Sequence, residues 1–198
     1  MTVREITLMG HPVLMTPSAP VADPTSPEIA ALVQDMQDTM EAAGGIGIAA
    51  PQIGVGLRVV IFRLPPEAAA GGDSTEPELR EALHARPLTV LINPEIEVIG
   101  DERVEGWEGC LSVPGLRGLV PRYNHIRYRA QGLDGAWFER EAQGFHAVVA
   151  QHECDHLDGI LYPMRMVDMG TLQFVGAAEG ATYLPNRRPA PAATGVDR

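Results

Sequence analysis

The stretch Gln151-His152-Glu153-Cys154-Asp155-His156 decides the fold, because in a helix it puts two imidazoles one turn apart on one face. Phe145, Val148 and Val149 fall on the same stripe as the two histidines, which predicts a helix whose ligand-bearing side faces the core. Glu153 lies beside that stripe, where its carboxylate can take a proton from a metal-bound water. The pattern predicts half of a metal site together with its general base.

The same pattern also occurs in helices without a metal, where the histidines are solvated or hydrogen-bonded in the core. A metal site therefore needs a third ligand from elsewhere in the chain. Cys110, in the stretch Glu108–Ser112, is a candidate because thiolates and imidazoles both bind zinc, iron and nickel. Taken alone, a cysteine in this setting is more often a small buried hydrophobe than a ligand.

The composition indicates an acidic chain that is long enough to form a core without disulfides. It has 198 residues, of which 45% are hydrophobic, and a formal net charge of −11. We expect one catalytic domain over residues 1–184, with an exposed insertion at about 64–87 and a Pro/Ala-rich, mobile tail over 185–198. The acidic balance argues against direct nucleic-acid binding. No signal-peptide block or bilayer-length apolar run is present, so we expect a cytoplasmic protein without a membrane partner.

Apolar periodicity predicts an α+β fold. Ser26, Pro27 and Glu28 are typical of a helix start, and the helical spacing of apolar residues then continues to Met40 and ends at Gly44-Gly45. Alternating patterns predict strands at 57–62, 88–92, 95–99, 126–130 and 136–141, with Asn93-Pro94 breaking the second from the third. The expected architecture is a set of antiparallel sheets packed around a central metal-binding helix that carries the His-Glu-x-x-His motif.

Three stretches together, Gly45–Gln52, Glu108–Ser112 and Gln151–His156, resemble those of the peptide deformylases, in the same order and with similar separations. The resemblance spans most of residues 1–170. It implies a bacterial-type metal-dependent hydrolase that removes the formyl group from the N-terminal formylmethionine of newly made polypeptides. N-formylmethionyl nascent peptides are then the partners. Some bacterial members dock on the ribosome through a C-terminal helix that this tail lacks, so ribosome binding stays open.

The resemblance implies that Cys110, His152 and His156 bind one divalent metal, natively Fe2+, which Zn2+, Ni2+ or Co2+ can replace. Three protein ligands leave a fourth position for water. In the implied mechanism the metal lowers the pKa of that water, and Glu153 acts as the general base for attack by the metal-bound hydroxide. Glu153 then protonates the departing amine. Cys154 lies two residues from each histidine and is expected to face away from the metal.

The resemblance also implies which groups contact the substrate. The Gln52 side chain and the backbone N–H of Leu111 stabilise the oxyanion. The peptide adds as a strand, to which Gly47 and Gly109 offer backbone groups. The wall of the methionine pocket is formed by four apolar residues, Ile46, Phe145, Val148 and Val149. Its rim is supported by Glu108 and Arg117, which are expected to pair across a turn.

Two other classes of protein share part of these features. A zinc peptidase would use both histidines and a different third ligand. In the metzincin pattern the third ligand is a histidine, but that position is Tyr162 here. In the gluzincin pattern it is a downstream glutamate, for which Glu179 is available. A deformylase-like protein that only binds N-termini would not need the base. The presence of Cys110, Glu153 and Gln52 together argues against such a binder.

Overall fold

The computed structural model describes residues 2–65 and 86–176, which form an α+β fold of antiparallel sheets and helices. The predicted amphipathic segment forms helix α1, Pro27–Ala42. The Ser26 hydroxyl accepts a hydrogen bond from the Ile29 N–H, and Gly44 leaves the helix with a φ of 69°. The predicted helix is confirmed. It begins with a serine cap and ends at a glycine in the left-handed region, which are the two signals that predicted its ends.

The strands of these residues pair into two sheets. In chain order they are β1 (Gly47–Ala49), β2 (Val59–Phe62), β3 (Thr89–Val98), β4 (Arg103–Cys110), β5 (Val113–Tyr123), β6 (His125–Gln131), β7 (Trp137–Gln143) and β8 (Gln173–Phe174). One sheet has the order β1-β2-β3-β6-β7 and the other β4-β5-β8, with every pair antiparallel. The antiparallel part of the predicted fold class is confirmed.

The strand break expected at Asn93-Pro94 is wrong. Strand β3 runs through both residues, and its register against β6 shifts between Ile92 and Glu95. Asn93 has a φ of 52°, and its side-chain amide exchanges hydrogen bonds of 2.8 and 2.9 Å with the backbone of Val21. The side chain thus ties this irregular point of the strand to Val21, and the chain forms a bulge instead of a turn.

Helices cover both faces of the five-stranded sheet. Val59 and Ile61 of β2 pack in the cluster formed with α1, while Val60 and Phe62 pack on the opposite side. That opposite side is covered by helix α2, Gly144–Leu157, which also contacts β5 of the second sheet. Because both faces are buried, β2 is apolar at every position instead of alternating.

Helix α2 packs on the sheet mainly through Ala147, Ala150 and Leu157, which are fully buried. The histidine stripe is buried only in part. Val149 and His156 are 4% and 1% exposed, whereas Phe145 is 42% exposed and lines a cleft. The stripe that was predicted to face the core therefore does so only in part. The helix ends at Leu157, and Gly159, two residues later, has a φ of 74°.

Several sequence predictions fall outside the described residues. These are most of the insertion at 64–87, the tail at 185–198, and Glu179, the alternative peptidase ligand. Within residues 2–65 and 86–176, no helix has the length and apolar character that a bilayer crossing requires.

Candidate metal centre

Helix α2 and the end of strand β4 bring the three predicted ligands together. The thiol of Cys110 and one ring nitrogen each of His152 and His156 all lie within 4.8 Å of one another. Cys110 Sγ is 3.4 Å from His156 Nε2, and the two imidazoles meet edge to face at 5.1 Å between ring centroids. The register of β4 against β5 shifts between Gly109 and Cys110, and this irregularity lies beside the sulfur.

The chemistry of this donor set fits a divalent cation. One thiol and two imidazoles are ligands of zinc, iron and nickel, and three protein ligands are typical of a hydrolytic site. Burial alone would lower the pKa of His152, but hydrogen bonds with Cys110 and Glu108 raise that pKa to about 10, so the cluster favours a positive charge. Burial, with the charges of His152 and Arg122, holds the pKa of His156 well below its ordinary value, which leaves a neutral imidazole able to bind a metal.

Glu108 orients the first histidine. Its carboxylate accepts a hydrogen bond from His152 Nδ1 at 2.7 Å, which leaves Nε2 for the cluster. Arg122 binds both oxygens of Glu108, at 2.8 and 2.9 Å, and donates to Asp155 at 2.5 Å. Burial disfavours the charged form of Glu108, but the hydrogen bonds from Arg122 and His152 outweigh it, so the pKa of Glu108 is lowered.

The predicted pair of Glu108 with Arg117 is wrong. Arg117 is paired with Gly109 across the β4–β5 hairpin, and paired residues point to the same face of a sheet. Glu108 is the neighbour of Gly109, so its side chain points to the opposite face from Arg117. The guanidinium of Arg117 instead lies 4.8 Å from the ring centroid of Trp107. Arg122 was not predicted as a site residue. It lies two residues from Val120 on β5, so both side chains point to the same buried face. A buried arginine requires a carboxylate partner, and this signal could have identified it.

Glu153 lies buried against strand β1. Its side chain is 5% exposed, and its Oε2 has no hydrogen-bond partner among the described residues. Burial raises the pKa of Glu153 to about 7. An ideal Cβ at Gly47 would lie 2.7 Å from Cδ of Glu153, so only glycine leaves room for this carboxylate. The carboxylate therefore lies in space that Gly47 leaves open, with a pKa suited to proton transfer near neutrality.

We expect Gly47→Ala to lower kcat by about 100-fold without loss of metal, because the added methyl group would displace the Glu153 carboxylate by a distance comparable to an ångström. The resemblance to the deformylases supplies the assay, which is kcat for formate release from a formylated peptide, counted per bound metal. Gly56→Ala is the matched control, since a Cβ there would make only an ordinary contact of 3.7 Å with Val13. Equal kcat for both alanine variants would show that the position of Glu153 is unimportant.

Gln52 lies in a short helical turn, Ala50–Ile53, next to the cluster. Its Oε1 accepts the Ala49 N–H at 2.8 Å, so its Nε2 points the other way. That nitrogen lies 3.2 Å from Ser112 Oγ and 3.5 Å from Cys110 Sγ. A side-chain donor is therefore aimed at the cluster. The sequence analysis included Ser112 in a motif but assigned it no role.

Cys110 and His152 of the cluster line a cleft of about 520 Å³. Among the described residues, those that line it include Gln52, Leu111, Glu153 and every predicted pocket residue except Arg117. Strands β1 and β4 flank the cleft, and each is the edge strand of its sheet within the described chain. Unpaired backbone groups on two facing edges can bind an extended peptide.

The chain resembles known proteins over most of its length. A family profile described as "Polypeptide deformylase" matches residues 3–171. "Peptide deformylase 1" of Nitrosomonas europaea is 50% identical over 167 residues, covering 84% of this chain and 89% of the relative. "Peptide deformylase 1" of Prochlorococcus marinus is 49% identical over 181 residues, covering 91% and 90%.

Solved structures agree with the sequence relatives. The peptide deformylase of Thermotoga maritima superposes with a TM-score of 0.71 at 30% identity, covering 85% of this chain and 100% of that one. A class I type b peptide deformylase of Acinetobacter baumannii, bound to Met-ala-ser, gives a TM-score of 0.70 at 34% identity, covering 83% and 99%. Sequence and fold thus point to the same group of proteins.

Proposed function

Since the chain belongs to the polypeptide deformylase family, we propose that it hydrolyses the formyl group from N-formylmethionyl nascent peptides with the aid of a divalent cation and Glu153 as general base. The observation that carries the proposal is the meeting of Cys110, His152 and His156 within 4.8 Å, beside a cleft that Cys110 and His152 line. By its family the chain is a hydrolase.

Cys110, His152 and His156 would hold the cation. Bound there, it would lower the pKa of a water molecule and polarise the formyl carbonyl. We propose Fe2+ as the native ion, with Zn2+, Ni2+ or Co2+ able to replace it. Glu108 supports this set by accepting the hydrogen bond of His152 Nδ1 at 2.7 Å, which fixes the tautomer with a free Nε2.

Glu153 moves the proton. Its Oε2 accepts a proton from the attacking water and returns it to the amine as the bond between the formyl carbon and nitrogen breaks, giving formate and a free N-terminus. A pKa of about 7, raised by burial, suits a group that must both accept and release a proton near neutral pH. Gly47 keeps the space in which this carboxylate lies.

Gln52 and Leu111 stabilise the negative charge that develops on the formyl oxygen. The Gln52 amide is held with its nitrogen toward the cluster, because its oxygen accepts the Ala49 N–H at 2.8 Å. The backbone N–H of Leu111 follows directly after Cys110 and lines the same cleft. Donors that are fixed before the reaction stabilise a transition state without reorganisation.

The substrate lies between the two edge strands, with Gly47 of β1 and Gly109 of β4 pairing to its backbone. The methionine side chain enters an apolar pocket whose wall is formed by Ile46, Val148 and Val149. Phe145, at the start of α2 and partly exposed, closes the mouth of that pocket. A zinc peptidase is less well supported, because Tyr162, in the position of its third histidine, stacks on the ring of His152 at 6.4 Å between centroids.

The test of this function is formate release from a short N-formylmethionyl peptide by protein loaded anaerobically with Fe2+ or Ni2+. We expect fast release of formate from the formyl peptide and no release of acetate from an N-acetyl peptide, because a formyl carbon is less hindered and more electrophilic than an acetyl carbon. An unblocked peptide should stay intact. Internal cleavage of that peptide would favour the peptidase, and no release at one metal per chain would favour a protein that only binds N-termini.

A further inference from the structure

We propose that Ser112 is a positioning residue, whose hydroxyl holds the Gln52 amide in the orientation needed to donate to the substrate's formyl oxygen. The inference rests on the oxyanion role proposed above for Gln52. It assigns a function to a side chain that takes no part in the ligand set, the base or the pocket wall.

The Gln52 amide is bonded at both ends. Its Oε1 accepts the Ala49 N–H at 2.8 Å, which excludes the flipped orientation because two donors would then face each other. One Nε2 hydrogen is donated to Ser112 Oγ at 3.2 Å. The second points to the side of the cluster, where Cys110 Sγ lies 3.5 Å away as a weak acceptor. That second hydrogen is the one available to a substrate carbonyl.

Burial makes the Ser112 hydroxyl hard to replace. Gln52 is 2% exposed and Ser112 0% exposed, so solvent does not supply a substitute acceptor freely. Without the hydroxyl, one amide hydrogen would be buried without a partner. The amide could relieve this cost by rotating about its terminal torsion, which would turn its second hydrogen away from the formyl oxygen.

The backbones of the two residues are also tied to each other. The Thr7 N–H donates to the Gln52 carbonyl and the Met9 N–H donates to the Ser112 carbonyl, each at 2.8 Å. The same N-terminal segment therefore fixes the separation of two residues that lie 60 positions apart in the chain. The Ser112 N–H lies 3.4 Å from Cys110 Sγ, which links the pair to the metal ligand. Such a preformed unit is what transition-state stabilisation requires.

The test is a double-mutant cycle on the metal-loaded enzyme, with kcat and KM for formate release counted per bound nickel. We expect Ser112→Ala to lower kcat by about 10-fold with KM changed by less than about 2-fold, because the lost orientation matters mainly in the transition state. In a Gln52→Leu background the same substitution should change kcat by less than about 2-fold. Ser18→Ala is the control, since Ser18 is also buried and lies outside the cleft.

The outcomes separate this inference from the proposed function. If Gln52→Leu lowers kcat and Ser112→Ala lowers it equally in both backgrounds, Ser112 does not act through Gln52 and the inference is wrong. Unchanged kcat in Ser112→Ala would also overturn it. If Gln52→Leu itself leaves kcat unchanged, the oxyanion role fails and the inference fails with it. Counting per bound nickel prevents incomplete folding from imitating the effect.

A second readout does not depend on turnover. In zinc-loaded protein labelled with ¹⁵N, the side-chain NH₂ signals of Gln52 are identified by their absence in Gln52→Leu. We expect these protons to exchange slowly in the parent protein, and to shift and exchange faster in Ser112→Ala but not in Ser18→Ala. Ser112→Thr, which keeps the hydroxyl, should retain the parent signals. Identical Gln52 signals in the parent protein and in Ser112→Ala would contradict the proposed hydrogen bond.

Discussion

Glu153→Gln is expected to lower kcat for formate release by about 10³-fold while the protein keeps its metal and its affinity for formylated peptides. Glutamine has nearly the same shape as glutamate, so the buried site beside Gly47 stays filled. Its amide, however, does not accept a proton from water or return one to the amine. The raised pKa of about 7 that burial gives to Glu153 is lost with the carboxylate.

The measurement compares kcat, KM and the metal content of Glu153→Gln with those of the parent protein. Glu139→Gln is the matched control, because it makes the same chemical change on an exposed face of β7 and should leave kcat unchanged. Retention of more than about a tenth of the parent kcat in Glu153→Gln would remove Glu153 from the role of general base. Peptide binding without turnover in this variant would support the assignment.

Cys110→Ser is expected to weaken metal affinity by more than about 100-fold. After dialysis against a chelator, this variant should have lost its metal and should no longer release formate. A serine hydroxyl remains protonated near neutral pH and is a poor ligand, whereas a thiolate is among the strongest that a divalent transition metal finds in proteins. Only two imidazoles would then remain of the donor set. The affinity is measured by competition with a chelator, and the metal content by elemental analysis.

Cys154→Ala is the control for this change. Cys154 is the other cysteine of the chain, and it lies buried on α2 outside the ligand cluster. We expect Cys154→Ala to keep one metal per chain. A Cys110→Ser protein that holds its metal as tightly as the parent would exclude Cys110 as a ligand and would favour a peptidase-type site with a different third residue.

Local patterns were sufficient for the elements that depend on near neighbours. Helix α1 was predicted because a capping serine, a proline at the first helical position and a glycine exit are all local signals. The strands at 126–130 and 136–141, which form β6 and β7, were predicted because an alternating pattern is a property of near neighbours. The Asn93-Pro94 break failed because Asn93 finds its partner at Val21, 72 residues away, which no local pattern contains.

The candidate site divides in the same way. The sequence by itself determined the two histidines on one helical face with Glu153 beside them, because the helical repeat makes that geometry a property of spacing alone. It also indicated Cys110 and Gln52 through their motifs. Only the tertiary structure decided that part of the histidine stripe lines a cleft. It also decided that the Glu153 carboxylate occupies space that a side chain at position 47 would fill, so that residue 47 has to be glycine.

Partner choice within the site was likewise decided by the tertiary structure. Glu108 pairs with Arg122 and not with Arg117, because strand parity puts the first two on the buried face of the β4–β5 hairpin. Ser112 meets Gln52 across 60 residues of sequence. Spacing along one helix is encoded locally, but a hydrogen bond between distant segments depends on how two sheets and a helix pack. That packing is a property of the whole chain.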